Sequence, residues 1–355
     1  MVKDKDVLII GQGIAGTVLA FTLRKYGYSY AIVDKKEECT SSLVAAGVFN
    51  PFTGRKLTKT WRAEQLFPFA ISFYKHIYDA YGIDCMQQLP IYRAFSDVTQ
   101  FNDFSSHSTD PQFNNFIDRI HETPFRPQQL KNEMGGVLQK NGGWVDVRNF
   151  ILQARTFFES ENTFIHDEFE PSELNISTEN LSWKGINAKK VVLAGGYQNS
   201  LKGVFDWLPF VPTKGEMLEI SVPDLPGDMI YNKGFFLLPQ RPGIFLAGAT
   251  FSKDTSPYPT QEGKKRVEEK ITSLLHSPYQ IKNHVWGIRP TVKDRRPLVG
   301  WHPVYKNIGI FNGLGTKGVT LAPFFAQQWV ESWQETHKNI DEAVNIQRYY
   351  SLRTP

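Results

Sequence analysis

The chemistry written most plainly into this chain is that of holding a pyrophosphate. Gly11-Gln12-Gly13-Ile14-Ala15-Gly16 has the Gly-x-Gly-x-x-Gly spacing, and Asp34 follows downstream. Each residue type has a physical reason. Gly11 permits a tight turn, Gly13 lets the backbone approach an anion, and Gly16 lets a helix lie close on a strand. Ile14 and Ala15 open that helix, whose first N–H groups lack partners and face the anion. Asp34 accepts hydrogen bonds from ribose hydroxyls, with Lys35 beside it. A purely structural glycine turn would show the same three glycines.

The elements that must position these residues are also written in the chain. Asp6–Ile10 reads as a buried strand, the run to Tyr26 as a helix, and Tyr30–Asp34 as a second strand. Three further small-residue stretches lie downstream. Ala45-Ala46-Gly47 would let backbone pack on something flat, although helix packing uses small residues in the same way. Gly195-Gly196 ends a strand-like run from Lys190, which predicts a second close backbone approach or a plain turn. Gly313, Gly315, Thr316, Lys317 and Gly318 form a turn between a strand at Asn307–Phe311 and a helix from Val319 to about Thr336. Only one complete nucleotide fingerprint is present, and Gly195-Gly196 opens none. Electrons therefore come from the substrate rather than from a nicotinamide.

The rest of the chain supports one large or two interleaved domains. It has 355 residues, 41% hydrophobic and 21% charged, with a net charge of +4, which argues neither for nor against a nucleic-acid partner. No apolar run reaches the roughly 18 residues of a membrane span. Cys39 and Cys85 have no metal-ligand spacing, and the amino terminus leads directly into a strand, so the expectation is a cytoplasmic protein with no metal. The spacing of Trp61, Leu66, Phe69, Phe73, Ile77 and Tyr81 predicts an amphipathic helix within 57–81. Leu89–Phe95 reads as a strand. Gly135–Leu138 and Gly143–Val147 read as strands about a glycine-rich turn, followed by a helix to about Phe158. Residues 211–249 alternate as an antiparallel sheet, and 260–275 as a basic amphipathic helix.

Taken in order, these stretches resemble the D-amino acid oxidase family of FAD-dependent oxidoreductases, which includes glycine oxidase and sarcosine oxidase. The resemblance rests on Gly11–Gly16 with Asp34, on Ser42-Leu43-Val44-Ala45-Ala46-Gly47, on Val191–Gly196 and on Pro212–Leu218. Its most specific pieces are Gly287-Ile288-Arg289-Pro290 running on to Gly300, and Gly313–Gly318 followed by Leu321-Ala322-Pro323. It implies an α/β fold: a discontinuous Rossmann-like FAD-binding domain (1–60, 143–205 and 283–355) and an α+β substrate domain on an antiparallel sheet (61–142 and 206–282).

The resemblance also implies roles. Ala46 and Gly47 would sit against the flavin, and Gly313–Gly318 would meet its pyrimidine edge, where Lys317 adds a cation unless it is a surface lysine. Arg289 corresponds to the arginine that binds the substrate carboxylate. The alternative for it is a structural pair with Asp294. Phe236 stands where glycine oxidase has a tyrosine contacting substrate, which implies a more apolar pocket. No cysteine follows Cys85 and Val44 precedes Ala45, so the FAD is expected to be noncovalent.

The expected activity is oxidation of the C–N bond of an amino acid or N-substituted glycine. Hydride passes to flavin N5, water hydrolyses the imine, and oxygen is reduced to hydrogen peroxide. The segment Leu314–Gly318 with Lys293-Asp294 is also similar to the oxidase domain of the bacterial enzyme that finishes a modified wobble uridine in tRNA. A stand-alone tRNA-modification oxidase is thus an alternative, against which the absence of a basic tract argues. An FAD dehydrogenase with another acceptor, a noncatalytic flavoprotein and an NAD enzyme are the others.

Overall fold

The computed structural model describes residues 4–37, 39–54, 56–108, 110–176, 181–197, 204–334 and 339–353. The strand Asp4–Ile10 lies near the middle of a mainly parallel sheet, between Tyr30–Asp34 and Ile186–Leu193. Phe164–His166 extends the sheet beyond Tyr30–Asp34, and Ile308–Asn312 extends it beyond the far half of Ile186–Leu193. Leu298–Trp301 joins last, antiparallel. These strands are apolar at consecutive positions because both faces are covered. Val7, Ile9, Ile32, Val192 and Phe311 point into one core with the helices Ile14–Lys25, Val147–Ser160 and Gly318–Gln334. Leu8, Ile10, Val33, Val191, Leu193 and Ile310 point into the other, with Trp183 and Phe205.

The second sheet has eight strands, in the order Gln280–Arg289, Thr213–Ser221, Ile244–Gly248, Phe236–Arg241, Ile230–Asn232, Ile91–Ala94, Gly136–Gln139, Ile117–His121. All neighbours are antiparallel except Ile230–Asn232 with Ile91–Ala94. Strand Gln280–Arg289, through which the expected 282/283 boundary runs, pairs along its length with Thr213–Ser221. The helix Gln261–Leu274 covers one face with Val267, Ile271 and Leu274. It is fixed by its N-cap: Thr260 Oγ1 accepts from Gly263 N–H at 2.9 Å and donates to buried Glu216 at 2.8 Å.

Two local expectations change. The strands at 136–139 and 143–145 do not form a hairpin. The first belongs to the large sheet, while Gly143–Val145 joins Val48–Phe49 and Met86–Gln88 in a small separate one. The glycines between them serve close crossing: a Cβ on Gly142 would stand 2.6 Å from Ile91 Cδ1, and one on Gly143 2.4 Å from Gln87 O. The aromatic helix begins only at Ala63. Leu57 (φ 50°) and Arg62 (φ 53°) are left-handed, which stops helix propagation before that point. Its most buried face carries Leu66, Phe67, Ala70, Tyr74 and Ile77, so Phe69 and Phe73 sit at the margin of the core.

Candidate active site

A cavity of about 930 Å³ runs between the two sheets, at the large end of the roughly 300–1,000 Å³ typical of ligand sites. It opens at the carboxyl ends of the parallel strands, the usual ligand position of such sheets. One end is built on the turn Gly11–Gly13. Gly11 has φ 101°, and a Cβ there would lie 2.6 Å from Gly195 Cα, so the turn passes directly against the second glycine pair. The helix from Ile14 has Gly13 as N-cap, with no side-chain cap and no acid in its first turn. Ser42 Oγ reaches this terminus and accepts from Ile14 N–H at 3.1 Å. A Cβ on Gly16 would stand 1.9 Å from Gly11 O, so Gly16 closes the turn from behind and lines nothing.

Asp34 is held in place by two backbone donors, Gln12 N–H at 2.7 Å and Lys36 N–H at 2.7 Å. Each carboxylate oxygen keeps a second lone pair for a ligand. The buried Gln12 side chain donates to Ile151 O at 3.1 Å and accepts from Arg155 Nε at 2.6 Å, and Arg155 Nη2 lies 3.9 Å from Asp34 Oδ1. Lys35 lines this end and ion-pairs with Glu37 at 2.8 Å and Glu168 at 3.0 Å, which raises its pKa.

In the middle of the cavity, Ala45, Ala46 and Gly47 form one wall. Gly287 makes room for the loop that precedes them: its Cβ would stand 2.6 Å from Val44 Cγ2. Gly47 (φ 65°) leaves no space for a side chain, since a Cβ would meet Val145 O at 1.9 Å. Gly195, Gly196, Gly315, Thr316, Lys317 and Gly318 also line the cavity. Asn312 ties two of these segments together by donating to Gly196 O at 2.8 Å. Gly313 faces away, its Cβ position 2.7 Å from Val292 Cγ2. Lys317 is half-buried at the start of the final helix. Burial, then Arg296 and Arg295, push its pKa below the usual lysine value.

The far end lies on the large sheet. Cross-strand register places Met217, Gly248, Phe236, Asn232 and Arg93 in one row across five strands, and all five line the cavity. Arg289 reaches in from the edge strand. Its guanidinium lies over Gly215, where a Cβ would be 1.7 Å from Nη2, and Nη1 donates to Thr250 O at 3.3 Å. No carboxylate among the described residues pairs with it, and burial pushes its pKa down to about 10. Asp294, the alternative partner, instead binds Arg348 Nε at 2.9 Å. Phe236 lies beside a polar pair, Arg93 and Asn232, so the row around it is less apolar than the Phe-for-Tyr replacement suggests.

Sequence reasoning did not single out Ser42, Gln12, Arg155, Asn312, Asn232 or Arg93. Arg93 had one visible signal: a lone charge inside the otherwise apolar run Leu89-Pro90-Ile91-Tyr92-Arg93-Ala94-Phe95. Among the described residues no His/Cys/Asp/Glu group could hold a metal ion, and no helix is long and apolar enough to cross a membrane. FAD fits what is present: an anion seat with no acid in the first turn of its helix, a carboxylate for a ribose, and a wall of small residues leading to a half-buried cation.

A family model described as "DAO: FAD dependent oxidoreductase" matches residues 6–331. The bifunctional protein ThiO/ThiG of Nostoc sp. is 24% identical over 91% of this chain and 51% of its own length. The chain thus spans about half the length of this curated relative. The tRNA 5-methylaminomethyl-2-thiouridine biosynthesis bifunctional protein MnmC of Marinobacter nauticus is 30% identical over 41% of this chain and 26% of its own. The crystal structure of glycine oxidase from Bacillus cereus superposes with a TM-score of 0.76 at 20% identity, covering 95% of this chain and 99% of that one, a likeness of fold.

Proposed function

The chain belongs to the DAO family of FAD dependent oxidoreductases, and we propose that it oxidises the C–N bond of an amino acid or N-substituted glycine, yielding an imine and hydrogen peroxide. The observation that carries this reading is Arg289: a half-buried guanidinium with no carboxylate partner among the described residues, on the edge strand of the large sheet and lining the cavity. Its fork matches a carboxylate bidentately. In this reading the helix terminus at Gly13–Ala15 and Ser42 hold the pyrophosphate, and Asp34 holds the adenosine ribose. Ala45–Gly47 and Gly315–Lys317, which line the cavity, would hold the isoalloxazine ring. The segments 1–60, 143–205 and 283–355 chiefly serve the cofactor, and 61–142 and 206–282 the substrate, with Arg289 lent to the substrate side by the strand Gln280–Arg289 that crosses the boundary. FAD, when bound, supplies the hydride acceptor.

The protein's own groups orient and desolvate the amine. Asp34 and Glu37, both at the nucleotide end, are the only carboxylates among the described lining residues, and no histidine lines the cavity. Among the described lining residues, no carboxylate or histidine therefore stands near Phe236 to act as a general base. Arg289, Arg93 and Lys317 instead make a positive field, which favours a substrate amine in its neutral form. A neutral amine is the form that can release its α-hydrogen as hydride. The test is anaerobic mixing of the FAD-loaded protein with primary and secondary amino acids, scored by loss of the flavin absorbance at about 450 nm. Bleaching, with peroxide formed on admitting air, is the expected result. No bleaching by any amine overturns the reading, and bleaching without peroxide assigns another electron acceptor.

Lys317→Met is expected to slow turnover by roughly 10- to 100-fold, with FAD content retained, because a positioned cation beside developing charge is lost. The variant should also lose an alkaline limb of the pH–rate profile. Burial lowers the pKa of Lys317, so its charge disappears below the pH at which an exposed lysine titrates. Steady-state rates across pH 7–11, roughly the range that brackets lysine titration, check both points. An unchanged rate and profile would place Lys317 outside the chemistry.

A further inference from the structure

We infer that Arg93 holds a second anionic group of the substrate, so that this enzyme prefers N-substituted amino acids whose N-substituent carries its own carboxylate. This rests on the amine-oxidation reading above and deepens it. Arg93 is 4% exposed and lies on the cavity wall. Among the described residues its guanidinium meets only neutral acceptors: Nη1 donates to Asn232 Oδ1 and Nη2 to Gly54 O at 3.2 Å. Nε is buried with no hydrogen-bond partner. An isolated buried charge is costly, and the cost is normally met by a counter-charge. Here burial pushes the guanidinium down to about 10 with no opposing partner. A clasp between Asn232 and the Gly54 turn would need no charge at all, since a neutral amide donates equally well to two carbonyls. The positive charge points to an anion that comes from the cavity.

The position of Arg93 says what kind of anion. Arg93, Asn232 and Phe236 stand side by side in register, and the Arg93 guanidinium reaches over the strand that carries Asn232. The Arg289 guanidinium arrives from the other edge, over Gly215 and towards Thr250. The strand under the Arg289 fork and the strand of Asn232, which the Arg93 fork touches, are three strand spacings of about 4.8 Å apart; Gly215 lies two residues along its strand from the Met217–Arg93 row, and Phe236 is on a strand between them. Each carboxylate sits about 2.8 Å beyond its donor nitrogens. The arrangement suits one molecule with a carboxylate at each end. Its amine would lie over the apolar ring of Phe236, which offers no hydroxyl to compete for either anion. A mononegative amino acid fills one fork and leaves the other charge buried and unpaired, which is the basis for discrimination.

Matched pairs test this on the FAD-loaded protein. Oxydiacetate and methoxyacetate are non-oxidisable dicarboxylate and monocarboxylate probes, with Kd read from the perturbed visible flavin spectrum. N-(carboxymethyl)glycine and N-methylglycine are the corresponding amines, compared by kcat/KM. The wild type is expected to favour the dicarboxylate of each pair by about 10- to 100-fold, the worth of a charge-assisted fork. Arg93→Met should collapse both ratios towards one, and Arg93→Lys should retain part of them. A wild type that does not discriminate, or an Arg93→Met protein that keeps the ratio, overturns the assignment. If Arg93→Met does not fold, the wild-type and Arg93→Lys ratios decide. Discrimination between the ether acids that depends on Arg93, without flavin bleaching by any amine, would leave the fork standing and sink the amine-oxidation reading. Bleaching without discrimination would do the reverse.

Discussion

Replacing Arg289 with methionine is expected to lower kcat/KM for a carboxylate-bearing amine by about 100- to 1,000-fold, the loss typical when a positioned charged donor is removed from a dry site. FAD content should be unchanged, because the anion seat lies at the other end of the cavity. The same substitution should leave the substrate-free protein at least as stable. The sign follows from linkage. The folded state holds Arg289 with its pKa down at about 10, below the ordinary arginine value, so the charged form is disfavoured by folding. That penalty is fully present below about pH 10 and disappears only as pH rises through the arginine range. Methionine removes the charge and fills similar space over Gly215. A melting temperature at pH 8 that falls by many degrees, together with an activity loss no greater than threefold, would mean that Arg289 braces the sheet edge instead.

Gly13→Ala is expected to cost FAD affinity by about 100-fold, since the seat for two or more charge-assisted hydrogen bonds is narrowed. Gly13 has φ −82° and ψ −166°, a conformation alanine adopts freely, so the backbone is not strained by the change. The new Cβ would stand 3.0 Å from Ser42 Oγ, so the serine must give by a few tenths of an ångström, and the methyl group takes up part of the seat. The protein should fold and emerge colourless, with weak FAD binding on titration. The contrast is with Gly16, where a Cβ would meet Gly11 O at 1.9 Å and the turn itself could not close. A yellow Gly13→Ala protein with FAD affinity unchanged would move the pyrophosphate elsewhere in the cavity.

These two variants mark the ends of a gradient of legibility. The nucleotide end was readable in the linear chain because its chemistry is local. Three glycines, a helix start and a strand-end carboxylate lie within thirty residues, and backbone geometry constrains each one separately. The final glycine turn and helix were readable for the same reason, although Gly313 proved to pack against Val292 and Leu298 rather than face the cavity. Arg289 drew notice only through a resemblance. Nothing in its neighbourhood says whether it pairs with Asp294 five residues away, and in the folded chain Arg348 takes that carboxylate.

The far end of the cavity was decided by strand register, which no local pattern carries. Arg93, Asn232, Phe236, Gly248 and Met217 share a row because five strands from distant parts of the chain align side by side. A shift of one residue in any of them would turn that side chain to the opposite face. Ser42 reaches the helix at Ile14 only because Gly287 lets its loop lie flat on the edge strand. The chain on its own thus specifies a dinucleotide site through backbone rules that act over a few residues. The tertiary structure alone sets which charges stand unpaired in the dry end of the cavity, because burial and register depend on every strand at once.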